Sequence, residues 1–552
     1  MSKQTKYIFV VGGVISGVGK GITASSIGLI LKNRGLNVTA VKIDAYINID
    51  AGTINPTEHG EVFVLSDGDE TDQDMGNYER FMELSLTRVN YMTTGRVYQT
   101  VINKERNLGY KGKNVQVVPD IPLEVIERIK KAGTLAKADV VIIEIGGTVG
   151  EYENILFLEA ARMMKLESPK DVIFVMVSYL PTPGKLGEMK TKPTQHAIRT
   201  LNASGIQPDI LLARGETKLD EKRKEKLSIL CNMFYDRIIS APDVDSIYDI
   251  PLNFENEKLG DKICAIAGIV SKKLDTVSWN KWKNFAKHAH NGKDTVKIAV
   301  IGKYFETGDF MLADSYLSVI EAIKYSSYAQ NRKPIISWLN SVDYENHPAK
   351  LKELKKYDGI VVPGGFGSRG VEGNLKVVKF ARENKIPYLG LCYGMQMMII
   401  EYARNILGLK DANTREVNPN SKNMVIDVME SQKEHLKNNL YGGSMRLGAY
   451  KAVLAPGSVA AKAYGNAGGE ILERHRHRYE VNPAFIMDLE RAGLIFSGKS
   501  PDGKLMEIAE LPKNKHPFFL GTQFHPEFLA HPLNPHPLFN AFIKACINNK
   551  KK

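Results

Sequence analysis

The chain has 552 residues, of which 43% are hydrophobic and 25% are charged, a balance that excludes a disordered or fibrous protein. This length predicts about two to four folded domains. The net charge of +12 raises the possibility of a nucleic-acid partner, but the basic residues are scattered and no DNA or RNA recognition module is found, so the charge suits anionic substrates such as nucleotides.

Short apolar runs alternate with helical stretches along the chain, which is typical of parallel α/β sheets. Strands are predicted at residues 7–11, 37–43, 139–145, 171–177 and 209–213 of the first half, and the alternation begins again with a strand at 296–301. Residues 271–295, with Trp279 and Trp282, lack strand periodicity and are predicted to be a linker. The predicted fold is two α/β domains, at 1–270 and 296–552.

The cysteines indicate where the protein works. There are four, and all lie far apart, without the C-x-x-C spacing of zinc sites: Cys231, Cys264, Cys392 and Cys546. They predict a reducing compartment, the cytoplasm, rather than a disulfide framework. No signal peptide or membrane-spanning segment is predicted, and no membrane partner.

A phosphate-binding turn is predicted directly after the first strand. Residues 12–23 read Gly-Gly-Val-Ile-Ser-Gly-Val-Gly-Lys-Gly-Ile-Thr and lead into a helix. Backbone N–H groups of such a turn bind phosphate oxygens, and Lys20 adds a positive charge. The motif departs from the usual P-loop because Gly21 stands where a hydroxyl-bearing residue would hold Mg²⁺, so carboxylates must supply that function. A generic glycine-rich turn is the alternative.

Two carboxylates are predicted to bind Mg²⁺. Glu144 ends an apolar strand, which delivers an acid to the carboxyl edge of a parallel sheet, beside the phosphate-binding turn. Asp74 lies in an acidic loop, with Asp72 nearby. Mg²⁺ prefers one or two carboxylates together with phosphates and water, although the loop by itself could be a solvated turn.

A polar turn before a later helix offers further nucleotide contacts. Residues 187–196 carry Lys190, Lys192 and Gln195 among hydroxyl and amide groups. This combination suits a triphosphate and the edge of a pyrimidine base. A polar helix start is the alternative, and without the other motifs it would be preferred.

The second half contains a predicted acyl-transfer triad. Cys392 ends an apolar run between Gly390 and Gly394, a pattern that predicts a strand turning sharply into a helix with a nucleophile at the tip. His525 and Glu527 supply a base and an acid that orients it. Upstream, the glycine-rich turn in 359–367 could present N–H groups to an oxyanion. A lone cysteine is more often a small core residue, but three such motifs in this order favour catalysis.

These motifs resemble those of known families. The order Cys392, His525, Glu527 resembles the triad-type glutamine amidotransferases. Four longer motifs together resemble the bacterial-type CTP synthase family over about residues 7–547: the turn at 12–21, Lys-Thr-Lys-Pro-Thr-Gln-His at 190–196, Val-Asp-Ser-Ile-Tyr at 244–248 and Glu-Arg-His-Arg-His-Arg-Tyr-Glu at 473–480.

The resemblance implies a complete reaction. Members of the family phosphorylate O4 of UTP with ATP and displace the phosphate with ammonia from glutamine, which gives CTP. The N-terminal domain would be a P-loop-like amidoligase and the C-terminal domain an α/β glutamine amidotransferase. Mg²⁺ is the implied cofactor. The implied partners are ATP, UTP, L-glutamine, GTP as an activator, CTP as a feedback inhibitor and further copies of the chain in a homotetramer.

The resemblance also implies nucleotide contacts, residue by residue. ATP would be bound by Gly17, Val18, Gly19, Lys20, Gly21, Ile22, Asp74 and Val244, with Mg²⁺ on Asp74 and Glu144. UTP or CTP would be bound by Ser16, Glu151, Tyr152, Glu153, Lys190, Thr191, Lys192, Pro193, Thr194, Gln195 and Lys226.

In the C-terminal half the resemblance implies a thioester on Cys392, with His525 as base and Glu527 as its orienting acid. The implied glutamine contacts are Gly365, Tyr393, Gly394, Met395, Gln396, Glu416 and Arg478. Arg474 and Arg476 are interpreted as structural or regulatory residues, and His59 as a residue of the ammonia route.

Two other hypotheses are compatible with parts of the pattern. Another ATP-dependent amidoligase, such as a cobyrinate-type amidase, would share the phosphate-binding turn and a glutaminase domain, but the motif at 190–196 argues against it. A nucleotide-binding filament protein with an inactive glutaminase half is the non-enzymatic alternative. The intact set of Lys20, Cys392, His525 and Glu527 argues against that.

Overall fold

The computed structural model describes residues 4–184, 187–270, 273–292, 294–302, 306–307, 310–311, 313–438, 442–465 and 468–549. The chain divides into two compact units. The first comprises Met1–Asp50 and Asp74–Ala286, and the second Ala51–Gln73 and Lys287–Lys552. The division differs from the predicted boundaries at two places. Residues 51–73 lie within the first half of the sequence but belong to the second unit, and residues 273–286 of the predicted linker belong to the first unit.

The first unit is built on a seven-stranded sheet in which every neighbouring pair of strands is parallel. In spatial order its strands are Tyr91–Thr93, Val38–Asp44, Val140–Ile145, Lys6–Gly12, Val172–Tyr179, Ile210–Gly215 and Ile238–Pro242. The central strands are runs of Val, Ile and Phe that are buried on both faces, as parallel strands covered by helices must be. The predicted N-terminal parallel sheet is confirmed.

Helices cover this sheet. Those wholly or mostly in the first unit are Lys20–Lys32, Gln73–Met82, Thr94–Arg106, Val117–Leu135, Ile155–Glu167, Lys192–Ala203, Glu221–Leu230, Ile250–Asn256, Leu259–Ala267 and Thr276–Asn291. The last of them occupies most of the predicted linker. Trp279 and Trp282 are buried in it, and the indole N–H of Trp282 donates to the carbonyl of Tyr248 at 2.9 Å. The helical spacing of the tryptophans with buried Phe285 and Ala286 was the overlooked signal.

The second unit contains a nine-stranded mixed sheet. In spatial order its strands are Arg332–Asn340, Asp294–Gly302, Gly359–Val362, Tyr388–Leu391, Phe519–Thr522, Met506–Glu510, Ile495–Lys499, Arg446–Leu454 and Glu470–His477. The first five are parallel and the last four pair antiparallel. The predicted C-terminal α/β domain is confirmed.

Helices and short strands complete this unit. Its helices are Pro56–His59, Leu317–Ala329, Ser341–Asn346, Val371–Glu383, Tyr393–Asn405, Glu430–Lys437, Val459–Ala463, Pro483–Arg491 and Pro537–Asn549. The short strands are Phe63–Val64, Glu70–Thr71, Glu306–Thr307, Phe310–Met311, Asn413–Thr414, Met424–Val428 and Tyr479–Val481. Across the described part of the chain, no helix combines the length and apolar character needed to span a bilayer.

Residues 51–73, called the 51–73 segment below, are held in the second unit by specific contacts. The guanidinium of Arg474 donates to the carbonyl of Val64 at 3.1 Å, and Arg476 Nε donates to Glu70 Oε1 at 2.8 Å. The ring of Phe63 packs edge-on against Phe528, with 5.1 Å between ring centroids. These partners are far away in sequence, so local patterns could not predict them.

Candidate functional site

The phosphate-binding turn lies between the strand Lys6–Gly12 and the helix Lys20–Lys32. Gly17 and Gly19 have φ of 69° and 83°, a left-handed conformation that glycine adopts without strain. Lys20 opens the helix, and its Nζ donates to the carbonyl of Gly147 at 2.7 Å. Burial lowers the pKa of Lys20, and the carboxylate of Glu144 opposes that shift. A positive charge therefore stands beside free helix N–H groups, as phosphate binding requires.

Glu144 and Asp74 are brought together by a lysine that the sequence analysis missed. Lys42 Nζ lies 2.6 Å from Asp74 Oδ2 and 3.0 Å from Glu144 Oε1. Tyr78 donates a short hydrogen bond to the other oxygen of Glu144. Burial raises the pKa of Glu144, and the ammonium of Lys42 opposes that shift. The available signal was a lysine in the otherwise apolar strand Val38–Asp44.

The two carboxylates fit a small divalent cation. A single ammonium already contacts an oxygen of each, so both oxygens lie within reach of one positive charge. Oxygen ligands from one or two carboxylates are what Mg²⁺ prefers. Asp74 and Glu144 are the residues that could hold it.

Gly21 explains why this turn lacks the usual hydroxyl. A Cβ atom added to Gly21 would lie 1.9 Å from Asp74 Oδ1, far closer than atoms can approach. The carboxylate of Asp74 thus occupies the space where a serine or threonine side chain would stand in a standard P-loop. The carboxylate of Asp74 can occupy this place because position 21 carries no side chain.

A small cleft of about 140 Å³ opens next to the phosphate-binding turn. Its lining includes Val18, Gly19 and Ile22 from the turn and helix, together with Arg214 and Val244. Apolar side chains from the helix that ends at Asn256 close one side. Val244, predicted to contact adenine, is therefore near the predicted phosphate contacts, and the cleft suits a flat apolar ring.

Arg214 joins this cleft to the turn. Its Nε donates to Asp243 Oδ1 at 2.9 Å and its NH1 to the carbonyl of Gly17 at 3.3 Å. The sequence analysis did not single out this arginine, which ends the strand Ile210–Gly215. The available signal was an arginine near the carboxyl end of a predicted parallel strand.

The predicted pyrimidine-nucleotide residues are less concentrated. Thr194 and Gln195 are buried and make internal hydrogen bonds, Thr194 Oγ1 with Ser178 Oγ at 2.9 Å and Gln195 Nε2 with Thr191 Oγ1 at 3.0 Å. The others are exposed or half-buried: Ser16, Glu151, Tyr152, Glu153, Lys190, Lys192, Pro193 and Lys226. The described contacts do not join Lys226 to the phosphate-binding turn.

Glu151 lies close to the phosphate-binding turn, although it is distant from it in sequence. Its Oε1 accepts a hydrogen bond from Thr148 Oγ1 at 2.6 Å. A Cβ at Gly147, whose φ is 78°, would lie 2.3 Å from its Oε2. The carbonyl of Gly147 accepts the hydrogen bond from Lys20 Nζ, so Gly147 lies between the Glu151 carboxylate and the phosphate-binding lysine.

In the second unit, Cys392 occupies a sharp turn between the strand Tyr388–Leu391 and the helix Tyr393–Asn405. Its φ of 49° and ψ of −96° lie outside the regions that a cysteine adopts without strain. A Cβ at Gly394 would lie 2.2 Å from the carbonyl oxygen of Val362, so only glycine lets the helix approach that closely. The predicted elbow geometry is present.

His525 and Glu527 form a buried pair. Nδ1 of His525 lies 2.7 Å from Glu527 Oε1, and the imidazole stacks on Phe528 with 5.0 Å between centroids. Burial disfavours the imidazolium, but Glu527 and Cys392 favour it more strongly and raise the pKa of His525 to about 10. Nε2 is buried and has no hydrogen-bond partner among the described residues. It is therefore available to exchange a proton with a nucleophile.

A cavity of about 430 Å³ contains this triad. Gly365, Glu416 and Arg478, three of the predicted glutamine contacts, line it together with Cys392, His525 and Glu527. Glu416 Oε1 accepts from the N–H of Gly367 at 2.7 Å, and Arg478 NH1 donates to Gln432 Oε1 at 2.8 Å. A carboxylate and a guanidinium on one cavity wall suit the ammonium and carboxylate of an amino acid.

The remaining predicted glutamine contacts are placed differently. Tyr393, Gly394, Met395 and Gln396 form the first turn of the helix that follows Cys392, and all four are buried. The side chain of Gln396 donates to the carbonyl of Tyr479 at 3.1 Å. The backbone N–H groups of this turn are suited to meet an oxyanion.

The 51–73 segment supplies cavity-lining residues that the sequence analysis did not assign to this site. They are Gly52, Thr53, Ile54, Pro56, Glu61 and Val62. Arg476 also lines the cavity and binds the segment through the carbonyl of Gly52 at 3.1 Å and the carboxylate of Glu70. His59 does not line it, and its Nε2 lies 3.2 Å from Asp72 Oδ2. Such long-range contacts leave no local signal in the sequence.

Comparison with known proteins covers the whole chain. Residues 6–269 match the family described as CTP synthase N-terminus, and residues 311–545 match class-I glutamine amidotransferases. The CTP synthase of Carboxydothermus hydrogenoformans is 47% identical over 549 residues, covering 99% of this chain and 100% of the relative. That of Methanocaldococcus jannaschii is 46% identical over 556 residues, covering 100% of both.

Among solved structures, the glutaminase domain of Trypanosoma brucei CTPS with bound acivicin is similar to part of the chain. It is 37% identical, covers 46% of this chain and 94% of that chain, and has a TM-score of 0.42.

Proposed function

This chain belongs to the CTP synthase family, and from that premise we propose how its residues divide the reaction. The reaction aminates UTP at C4 in an ATP-dependent step, with ammonia from glutamine hydrolysis, and serves pyrimidine nucleotide synthesis. The enzyme is thus a ligase that forms a C–N bond. The observation that carries the assignment to residues is the buried His525–Glu527 pair, 2.7 Å apart, in the cavity that holds Cys392.

Glutamine hydrolysis is assigned to the cavity of the second unit. The Cys392 thiolate attacks the carboxamide carbon of glutamine, and imidazolium of His525 gives its proton to the departing ammonia. The thioester that remains is hydrolysed by water, which regenerates the thiol and yields glutamate. Glu527 keeps the imidazole oriented and stabilises its charged form.

Substrate orientation in that cavity is assigned to a charged pair. Glu416 would receive the α-ammonium of glutamine and Arg478 its α-carboxylate, because these groups have opposite charges on one wall. The N–H groups of Gly365 and of the turn Tyr393–Gln396 would receive the developing oxyanion.

Phosphoryl transfer is assigned to the turn of the first unit. Lys20 and the N–H groups of residues 17–22 would bind the ATP phosphates and neutralise their charge, and Val244 would contact the adenine. Asp74 and Glu144 would hold Mg²⁺, which when bound neutralises phosphate charge. Lys42 keeps the two carboxylates close together before substrate arrives.

The pyrimidine nucleotide is assigned to Ser16, Glu151, Tyr152, Glu153, the turn Lys190–Gln195 and Lys226. Lys190, Lys192 and Lys226 are at least partly exposed and offer the several positive charges that a triphosphate needs, which supports this assignment. We further propose activation by GTP, inhibition by CTP and assembly as a homotetramer, as the family implies. The four separate, buried, free cysteines support a reducing compartment such as the cytoplasm.

The test is conversion of UTP to CTP, followed by absorbance, with ATP and Mg²⁺ and with either glutamine or ammonium chloride, each with and without GTP. Product from both nitrogen sources is expected. A glutaminase that forms no CTP from either source would contradict the proposed acceptor, and ATP hydrolysis that does not depend on UTP would favour another amidoligase.

A further inference from the structure

The side chain of Gln523 lies beside the sulfur of Cys392. Its Nε2 donates to Cys392 Sγ over 3.5 Å, and the residue is completely buried. Gln523 precedes His525 in the sequence by two positions but has no assigned role in the triad. A buried amide donor in contact with a nucleophilic sulfur is suited to stabilise a thiolate.

A second amide fixes which end of Gln523 faces the sulfur. Gln396 Nε2 donates to Gln523 Oε1 at 3.3 Å and also to the carbonyl of Tyr479 at 3.1 Å. An amide NH₂ group can only donate, so Gln396 must meet the oxygen of Gln523 rather than its nitrogen. The nitrogen of Gln523 is therefore the atom that points to Cys392.

Strand register places Gln523 opposite the nucleophile. Leu391 pairs in parallel with Thr522, and the N–H of Cys392 donates to the carbonyl of Thr522 at 2.6 Å. The N–H of Gln523 in turn donates to the carbonyl of Glu507 at 2.8 Å. Backbone hydrogen bonds on both strands thus hold the amide where it is, independently of any ligand.

The sulfur has a second polar neighbour of opposite character. Cys392 Sγ lies 3.7 Å from the carbonyl oxygen of Arg476, an acceptor that a thiol S–H can use and a thiolate cannot. Stabilisation of the thiolate must then come from donors. Besides Cys392, the titratable groups that line the same cavity are Glu61, Tyr316, Glu416, Arg476, Arg478, Tyr479, His525 and Glu527. The neutral amide of Gln523 adds a donor that does not titrate.

We propose that Gln523 is a further catalytic residue of glutamine hydrolysis, whose N–H stabilises the Cys392 thiolate while Gln396 orients the amide. The proton of the thiol goes to Nε2 of His525, and Gln523 transfers none. The inference rests on the proposed role of Cys392 as nucleophile. Because Gln396 bonds to Gln523, its side chain also acts on the sulfur indirectly.

The test measures the rate at which iodoacetamide alkylates Cys392 as a function of pH, in the full-length wild type, Gln523→Leu and Gln523→Glu. Gln523→Leu should move the midpoint of the profile up by about one pH unit, because one donor to the charged form is lost. Gln523→Glu keeps the shape of the side chain but places a carboxylate beside the thiolate, so the midpoint of its profile should move up further than that of Gln523→Leu. Glutamine hydrolysis should fall by roughly 10-fold to 100-fold in both.

Unmoved midpoints in both variants would overturn the proposal, whatever the loss of activity, since a merely structural role would leave the alkylation midpoint in place. Ammonia-dependent CTP formation serves as the folding control, and the isosteric Gln523→Glu keeps the test valid if Gln523→Leu does not fold. Gln330→Leu is the matched control, because that amide donates to the carbonyls of Ser326 and Asn540 and does not line the cavity of Cys392, so the midpoint should stay unchanged.

Cys392→Ala gives the background from the three other buried cysteines. If Cys392→Ala still hydrolyses glutamine, the nucleophile is misassigned, and the inference is overturned together with that part of the proposed function. If Cys392 is the nucleophile and only the Gln523 midpoints stay fixed, the failure belongs to Gln523 alone.

Discussion

The two sites of this molecule handle charge in opposite ways. In the first unit, Lys42 lies between Asp74 and Glu144, so permanent charges neutralise one another before any ligand arrives. In the second, the nitrogen of His525 that would serve Cys392 is buried and has no hydrogen-bond partner within the part of the chain that the structure describes. A site whose reactive groups come from its ligands needs fixed charges, whereas a site that supplies its own nucleophile needs a group that can exchange a proton with it.

Backbone strain shows the same difference. Around the phosphate-binding turn, positive φ values fall on Gly17 and Gly19, which adopt them without strain. In the elbow the positive φ of 49° falls on Cys392 itself, where it is strained. The first site needs close approach of the backbone to a ligand, and the second needs one side chain held at the tip of a sharp turn, where it lines a cavity.

The largest effect should separate the sites completely. Cys392→Ala should lower glutamine-dependent CTP formation by at least about 10⁴-fold, because it removes the nucleophile, and should leave ammonia-dependent formation intact. Both rates are measured by absorbance at saturating ATP and UTP. Cys546→Ala, a buried cysteine of the same unit, is the control and should keep both activities. Loss of both activities in Cys392→Ala would mean that the sites are not separable.

Lys20→Ala should have the converse effect, a loss of CTP formation without a loss of glutamine hydrolysis. Removing the ammonium that meets the phosphates should lower CTP formation by about 10²-fold to 10³-fold with either nitrogen source, while glutamine hydrolysis remains. Glutamate release and CTP are measured in parallel. Lys32→Ala, at the far end of the same helix, is the matched control and should retain synthesis. Ammonia-dependent synthesis that survives in Lys20→Ala would remove this lysine from phosphoryl transfer.

Gly21→Ala tests whether the packing of the turn against Asp74 matters. The added Cβ would stand 1.9 Å from Asp74 Oδ1 and should push the carboxylate away from Lys42. CTP formation with ammonia should fall by about 10-fold to 100-fold, since a small misplacement of charged groups is costly. Gly184→Ala controls for the substitution itself, because among the described residues beyond its chain neighbours no atom lies within 4 Å of the added Cβ. Equal rates in the two variants would contradict the steric argument.

The smallest effect is a change in pH dependence. Below its pKa of about 10, His525 stays protonated, so glutamine hydrolysis in the wild type should fall on the alkaline side as that proton is lost. Glu527→Gln removes the carboxylate that raises the pKa, and the alkaline limb of kcat/KM should move down by roughly 1–3 units. An alkaline limb that stays in place would show that Glu527 does not set the charge of His525.

Much of the fold was predictable from local patterns. The apolar strands that end at Gly12, Asp44 and Ile145 predict a parallel sheet, because strands that are buried on both faces are continuous runs rich in β-branched residues. The helix Thr276–Asn291 was not predicted, although its buried tryptophans had helical spacing, because the absence of strand periodicity was given more weight. Its polar outer face resembles a linker when the sequence is considered alone.

The site was predictable where chemistry follows a short motif and not where it depends on distant partners. Cys392 and Lys20 could be identified from the turns that present them. Lys42 could not, because one lysine in a strand is ambiguous until the fold places it between two acids.

By itself, then, the sequence determined the two α/β domains, the phosphate-binding turn and the order of the triad, since each depends on residues close together in the chain. Only the tertiary structure decided that the 51–73 segment belongs to the second unit, and that Gln523 turns its nitrogen to Cys392. The physical reason is that strand register and the packing of distant segments are set by the whole core, which no local pattern encodes.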